Sequence, residues 1–186
     1  MRNIKSVLLC MLASVLMISC IKDEDSEDYS SWREANEAYF KSMRDSIDPK
    51  TGEKLYREVQ CLAYPQYYVL FRETEAGPAE NTLKPLYTST VKVSYTGHLY
   101  NTDTDFDEGT LTLILNKGFY VGNTLFSVIQ GWPWAIMEMT VGEKAEVIIP
   151  WQLAYGSTGS GSILPYSTLI FNMTLDQIVK YETGSN

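Results

Sequence analysis

The stretch VIQGWPWAIMEMTVGEKAEVIIPWQLAY, residues 128–155, decides the fold. Val128 and Ile129 lead into Gly131-Trp132-Pro133, where proline suits a first helical turn because its missing N–H would have had no partner there. Ala135, Ile136, Met137 and Met139 follow with only Glu138 between them. A short helix that is apolar on nearly every side is one covered all round, not one lying on a surface. The sequence puts its end at Gly142. Glu143 to Ile149 then turns β-branched and alternating, a strand by pattern, and Pro150 closes it. A buried short helix is thus delivered into a sheet.

Strands are readable on both sides of this unit. Tyr67 to Arg72 is the first, and Thr74 to Pro85 after it is a turn-rich connection. From Thr90 the chain alternates, with Val91, Val93 and Tyr95 on one face and Lys92, Ser94 and Thr96 on the other. In Thr168 to Lys180, Leu169, Phe171, Met173 and Leu175 face inward, and Ile170, Asn172, Thr174 and Asp176 are expected to face out. Strands bracketing one short apolar helix predict an α+β domain, an antiparallel sheet curved around that helix.

The same residues carry a close resemblance to the FKBP-type peptidyl-prolyl isomerases. Six pieces stand in that family's order: Val91-Lys92-Val93-Ser94-Tyr95-Thr96-Gly97, Phe106-Asp107, Val128-Ile129-Gln130-Gly131-Trp132, Met139-Thr140-Val141-Gly142-Glu143-Lys144, Ala154-Tyr155-Gly156 and Ile163-Leu164-Pro165. The resemblance spans roughly Tyr67 to Tyr181. It implies an FKBP-like curved antiparallel β-sheet wrapped around one short α-helix, here with an extra N-terminal helix, and prolyl isomerase activity on proline-containing polypeptides. It also implies a pocket floored by Trp132 and walled by Tyr95, Phe106, Val128, Ile129, Tyr155 and Phe171. Asp107 would sit near the twisting carbonyl, the Tyr155 hydroxyl would donate a hydrogen bond, and the Ile163 backbone N–H would hold the substrate chain. The sequence departs from the family by one extra residue between Leu99 and Phe106, which leaves Asp107 either at the pocket or turned to solvent. Trp134, beside Pro133, is either helix packing or an exposed aromatic.

Such chemistry requires little from the side chains. Rotation about an X–Pro bond breaks amide resonance against a barrier of about 18–20 kcal/mol, and the twisted amide is less dipolar than the planar one. A dry apolar pocket favours it. Each ~1.4 kcal/mol of differential stabilisation is tenfold in rate, so no nucleophile, metal or cofactor is needed. The composition agrees, with one histidine, His98, expected as a strand-end surface residue, and no Cys/His cluster for zinc or a triad. The Gly/Ser run from Gly156 to Ser162 has no Gly-Lys-Ser/Thr after it and is a loop.

Working outward to the start, Arg2 and Lys5 precede an apolar run from Val7 to Ile18, too short to span a bilayer and suited to a signal-peptide core. It ends Met17-Ile18-Ser19-Cys20, which resembles a bacterial lipoprotein cleavage box with Cys20 as the lipidated first mature residue. The expected anchor is to the membrane of the cell envelope, as an outer-membrane lipoprotein. Lys22-Asp23-Glu24-Asp25-Ser26-Glu27-Asp28 is either a solvated tether or, by its resemblance to the export signal of Bacteroidetes surface lipoproteins, a signal for display on the cell surface. Cys61 is left without a partner and is expected half-buried. The formal net charge is −8, and more negative by two without Arg2 and Lys5, which argues against nucleic-acid binding.

The expected organisation is a signal peptide over 1–19, an acidic tether over 20–29, a helical appendage over 30–60 and the isomerase domain over 61–186. In the appendage, Ser31 and Glu34 have capping-box spacing, and Trp32, Ala35, Tyr39 and Met43 recur on one face. That stripe is expected to pack on its own domain rather than dimerise, giving a monomer. Three functions are compatible with the sequence: a lipid-anchored prolyl isomerase assisting exported proteins, a proline-segment binding module without turnover, and a surface lipoprotein scaffold.

Overall fold

A computed structural model describes residues 28–182. The signal peptide, Cys20 and all but the last two residues of the tether lie outside them. The elements in order are helix α1 (Ser30–Asp45), strands β1 (Arg57–Gln60), β2 (Tyr68–Glu75), β3 (Thr90–Leu99), β4 (Asp105–Ile114), β5 (Gly118–Val121) and β6 (Thr124–Phe126), helix α2 (Gly131–Ile136), β7 (Lys144–Ile149) and β8 (Leu169–Lys180). The strands form one sheet in the order β1-β2-β7-β8-β3-β4-β5-β6, every neighbouring pair antiparallel. This is the α+β, FKBP-like fold that the resemblance implies, with its N-terminal helix. Register shifts between Glu73 and Glu75 in β2, at two points early in β3 and after Gly97 help to curve the sheet.

The concave face holds the main core. Val69, Phe71, Val91, Val93, Leu113, Val147, Ile149 and the inward residues of β8 pack against Trp132, Trp134, Ala135, Ile136 and Met139. All six residues of α2 are buried, as a helix apolar on every side requires. It stops at Ile136, short of the end expected at Gly142. Met137 to Met139 continue as tight turns, with Glu138 N donating to Ala135 O at 3.0 Å and Met139 N to Ile136 O at 3.1 Å. The Thr140-Val141-Gly142-Glu143 turn serves structure: Gly142 has φ of 89°, and buried Glu143 accepts from Thr140 N at 2.9 Å. Trp134 is helix packing, stacked on Tyr87 with centroids 5.2 Å apart. Cys61 is fully buried in this core, not half-buried as expected.

The convex face corrects a second expectation. Ile170 was expected to face out, yet it is 4 % exposed. With Leu70, Ile148 and Tyr56 it forms a second apolar cluster, covered by Tyr39, Phe40 and Met43 of α1. The helix therefore packs on its own sheet, and that sheet is covered on both faces where β2, β7 and β8 meet. The deepest residue of α1 is Asn36, which is fully buried, rather than a member of the expected apolar stripe. Its Oδ1 accepts Thr168 N at 2.7 Å and its Nδ2 donates to Trp32 O at 2.8 Å, so its burial leaves no amide group unmatched. No Ser31–Glu34 capping box forms; the helix begins at Ser30, whose N–H donates to Asp28 Oδ1 at 2.9 Å. Strand β1 belongs to the sheet although it falls in the stretch expected as a helical appendage.

Because α1 seals Ile170, Ile170→Ala should lower the unfolding free energy by about 2–4 kcal/mol in chemical denaturation. A solvent-facing isoleucine in the same strand would lose about 0.5 kcal/mol or less.

Candidate active site

Four aromatic rings from four elements meet on the concave side. β3 supplies Tyr95, α2 Trp132, β8 Phe171 and β4 Phe106. Trp132 is 4 % exposed and Phe171 3 %. Tyr95 meets Trp132 edge-on with centroids 4.8 Å apart, and Trp132 meets Phe171 at 5.3 Å and 86°. Phe106 stands at 89° to Phe171 with centroids 5.8 Å apart. Each such edge-to-face pair contributes about 0.5–1.5 kcal/mol beyond area burial. Trp132 Nε1 is buried with no hydrogen-bond partner among the described residues, which costs about 1–3 kcal/mol. The indole is present here despite its N–H.

Two glycines make the close packing sterically feasible. A Cβ on Gly131 would lie 2.6 Å from Ile149 Cγ2, so the first turn of α2 rests directly on the sheet. A Cβ on Gly97 would lie 2.6 Å from Phe171 Cε1 and 2.9 Å from Phe106 Cζ. Gly97 stood in the quoted β3 motif without a role; an isolated glycine in an alternating strand was the available signal of close approach.

The extra residue before Phe106 is absorbed locally. Gly97 pairs with Asp107, but His98 pairs with Asp105, which leaves Phe106 as a bulge. A bulge re-aims its side chain, and this one packs Phe106 on Phe171. Asp107 is exposed, and its Oδ2 accepts a hydrogen bond from the Tyr95 hydroxyl at 2.9 Å, which ties it to the ring cluster. That pairing was not foreseen. Burial first, and the Asp107 bond and charge next, push the Tyr95 phenol well above its ordinary pKa. Tyr155 is raised too, by burial and then by the charge of Asp107. Both remain hydroxyl donors at neutral pH.

The other expected residues divide. Val128 and Ile129 are half-buried and pack on the main core immediately before α2. Tyr155 is 36 % exposed and close enough to Asp107 to feel its charge. Ile163 differs from expectation: its side chain is core, 7 % exposed, and its backbone N–H already donates to Ser160 O at 2.9 Å, with Ser160 N donating back to Ile163 O at 2.9 Å. That N–H becomes available to a substrate only when this bridge opens. His98 is half-buried, with Nδ1 3.8 Å from Asp105 Oδ1.

Residues 82–176 match the family model for FKBP-type peptidyl-prolyl cis-trans isomerase. FK506-binding protein 2B of Rhizopus delemar is 33% identical over 138 residues, 73% of this chain and 65% of that protein. The FKBP-type 22 kDa peptidyl-prolyl cis-trans isomerase of Escherichia coli is 41% identical over 96 residues, 51% of this chain and 44% of the relative. The chain thus spans less than two thirds of the length of either. A crystal structure of a peptidyl-prolyl cis-trans isomerase from Pseudomonas syringae pv. tomato superposes with a TM-score of 0.59 at 25% identity, covering 82% of this chain and 96% of the other. On the family match over half its length, together with the shared fold, the chain belongs to the FKBP-type peptidyl-prolyl cis-trans isomerase family.

Proposed function

We propose that this protein catalyses cis–trans isomerisation of X–Pro bonds in polypeptide chains, by drying and orienting the twisting amide in the Trp132 pocket. The observation that carries this is the ring cluster of Trp132, Tyr95, Phe171 and Phe106, with the hydroxyl-bearing Tyr155 at its rim. Family membership supports the same reaction. An apolar floor favours the less dipolar twisted amide over the planar ground state, and that difference, not tight binding as such, raises the rate. Tyr155 donates to the carbonyl preceding proline, and Asp107 fixes the Tyr95 ring while holding negative charge beside the rim. The proposed setting is the bacterial cell envelope, with exported polypeptides as clients and Cys20 carrying a lipid anchor. It rests on Arg2, Lys5, the apolar run from Val7 to Ile18 and the Met17-Ile18-Ser19-Cys20 box. Binding of proline segments without turnover is favoured by one observation, the Ile163 amide engaged with Ser160.

Line-shape or exchange NMR on a short X–Pro peptide tests turnover directly. Wild-type protein should accelerate interconversion, and binding without acceleration would mark a proline-segment module. Tyr155→Phe should lower kcat/KM by about threefold to tenfold, the worth of one hydrogen bond, with thermal stability retained. Gly97→Ala should cost about 1–3 kcal/mol of stability by forcing Phe171 and Phe106 aside, and should lower activity more than a strand glycine elsewhere.

The rate should vary by less than about twofold between pH 6 and 8, because the tyrosine donors titrate well above that window. A pKa raised in the folded state contributes stability that is constant below the ordinary tyrosine pKa of 10.0. It is lost as pH rises from there through the folded value. Unfolding experiments should therefore show this site contributing no pH dependence near neutrality and a loss only in strong alkali.

A further inference from the structure

Tyr155 and Ile163 lie on one segment, Trp151 to Thr168, and a single helix holds both of its ends. At the start, Trp151 Nε1 donates to Glu37 Oε1 at 3.1 Å. At the far end, Thr168 N donates to Asn36 Oδ1 at 2.7 Å, and Trp32 Nε1 donates to Ser167 Oγ at 3.2 Å. The two ends also meet each other, the Trp151 and Tyr166 rings lying edge-on with centroids 5.0 Å apart. The Arg33 guanidinium lies over both rings, 5.1 Å from one centroid and 5.2 Å from the other. Its Nε is fixed by Glu37 Oε1 at 2.8 Å.

Tyr166 is the one non-glycine residue with positive φ among the described residues, at 63°. A bulky residue keeps that conformation only where its surroundings over-determine it. Here its N–H donates to Gly156 O at 2.8 Å, so its bend closes the segment next to Tyr155. The strain at Tyr166 and the contacts from α1 thus converge on one point at the base of the loop.

We infer that Arg33 is a positioning residue: by clamping Trp151 and Tyr166 together, it lets α1 hold the loop in the arrangement that sets Tyr155 beside the ring cluster. The consequence for catalysis rests on the isomerase function proposed above; the clamp itself does not. The contacts are exposed and individually weak, so losing them should loosen the loop without undocking α1, which stays anchored by Asn36 and by Tyr39, Phe40 and Met43. A substrate would then have to order the loop as it binds, which raises KM and leaves kcat nearly unchanged.

The test compares wild type, Arg33→Met and Arg33→Lys in the full chain by hydrogen exchange read by mass spectrometry and by X–Pro isomerisation kinetics. Arg33→Met keeps the apolar stem and removes the cation. It should speed exchange over residues 154–164 about fivefold, the factor two cation–π contacts are worth, with sheet amides and thermal midpoint unchanged. KM should rise by a similar factor, and Arg33→Lys should recover most of both effects. Unchanged exchange over 154–164 in Arg33→Met overturns the inference. So does a rise spread across the whole sheet with a lowered midpoint, which would make Arg33 a general stabiliser. Absence of turnover in the wild type defeats the isomerase function instead, and the exchange comparison then decides the clamp by itself.

Discussion

The aromatic cluster depends on how closely α2 approaches the sheet. Gly131 has no Cβ, and one placed there would overlap Ile149 and Val69 side-chain atoms; the first turn of the helix therefore lies directly on those two side chains. Trp132, the next residue, is thereby pressed into the concave face between Tyr95 and Phe171. Any larger residue at 131 has to push the helix, and Trp132 with it, off Ile149 and Val69. Gly97 does the same from the strand side, leaving room under the rings of Phe106 and Phe171. Two missing methyl groups thus set the packing of one aromatic cluster.

A sheet covered on both faces gives that site a rigid base. The concave face packs on α2, and the convex face, through Leu70, Ile148 and Ile170, packs on α1. β7 and β8 are sandwiched between the two helices, and they deliver the loop with Tyr155 and the ring of Phe171. Rigid elements hold functional groups better than loops do. Tyr155 and Ile163, in the proposed site, lie instead on a loop segment, and α1 contacts both of its ends.

What the sequence made legible were patterns that depend on one element at a time. The alternation of Val91, Val93 and Tyr95 fixed the inward face of β3. Leu169, Phe171, Met173 and Leu175 did so for β8, and the all-round apolar run after Pro133 required a buried helix. Features that depend on a second element were not legible. Ile170 reads as outward until α1 covers it. Asn36 reads as a polar interruption until Thr168 N reaches it. Strands β4 to β6 were hidden because Asp105, Asp107, Glu108 and Gly109 break the alternation, and because Tyr120, Val121, Leu125 and Phe126 are apolar yet exposed. In the site, the ring-bearing residues could be named from motifs, but the Tyr95–Asp107 bond and the Ser160–Ile163 bridge are set by the Phe106 bulge and by the loop's own turns.

On the proposed function, a prolyl ring sits on the face of Trp132 within this ring cluster. Titrating a short X–Pro peptide into labelled protein and recording intermolecular NOEs tests it most directly. A prolyl ring seated there should show saturable upfield shifts of its protons, from the shielding cone of the indole, with NOEs to Trp132 and Phe171. Binding that leaves those protons unshifted, or that places their NOEs on another surface, would contradict it.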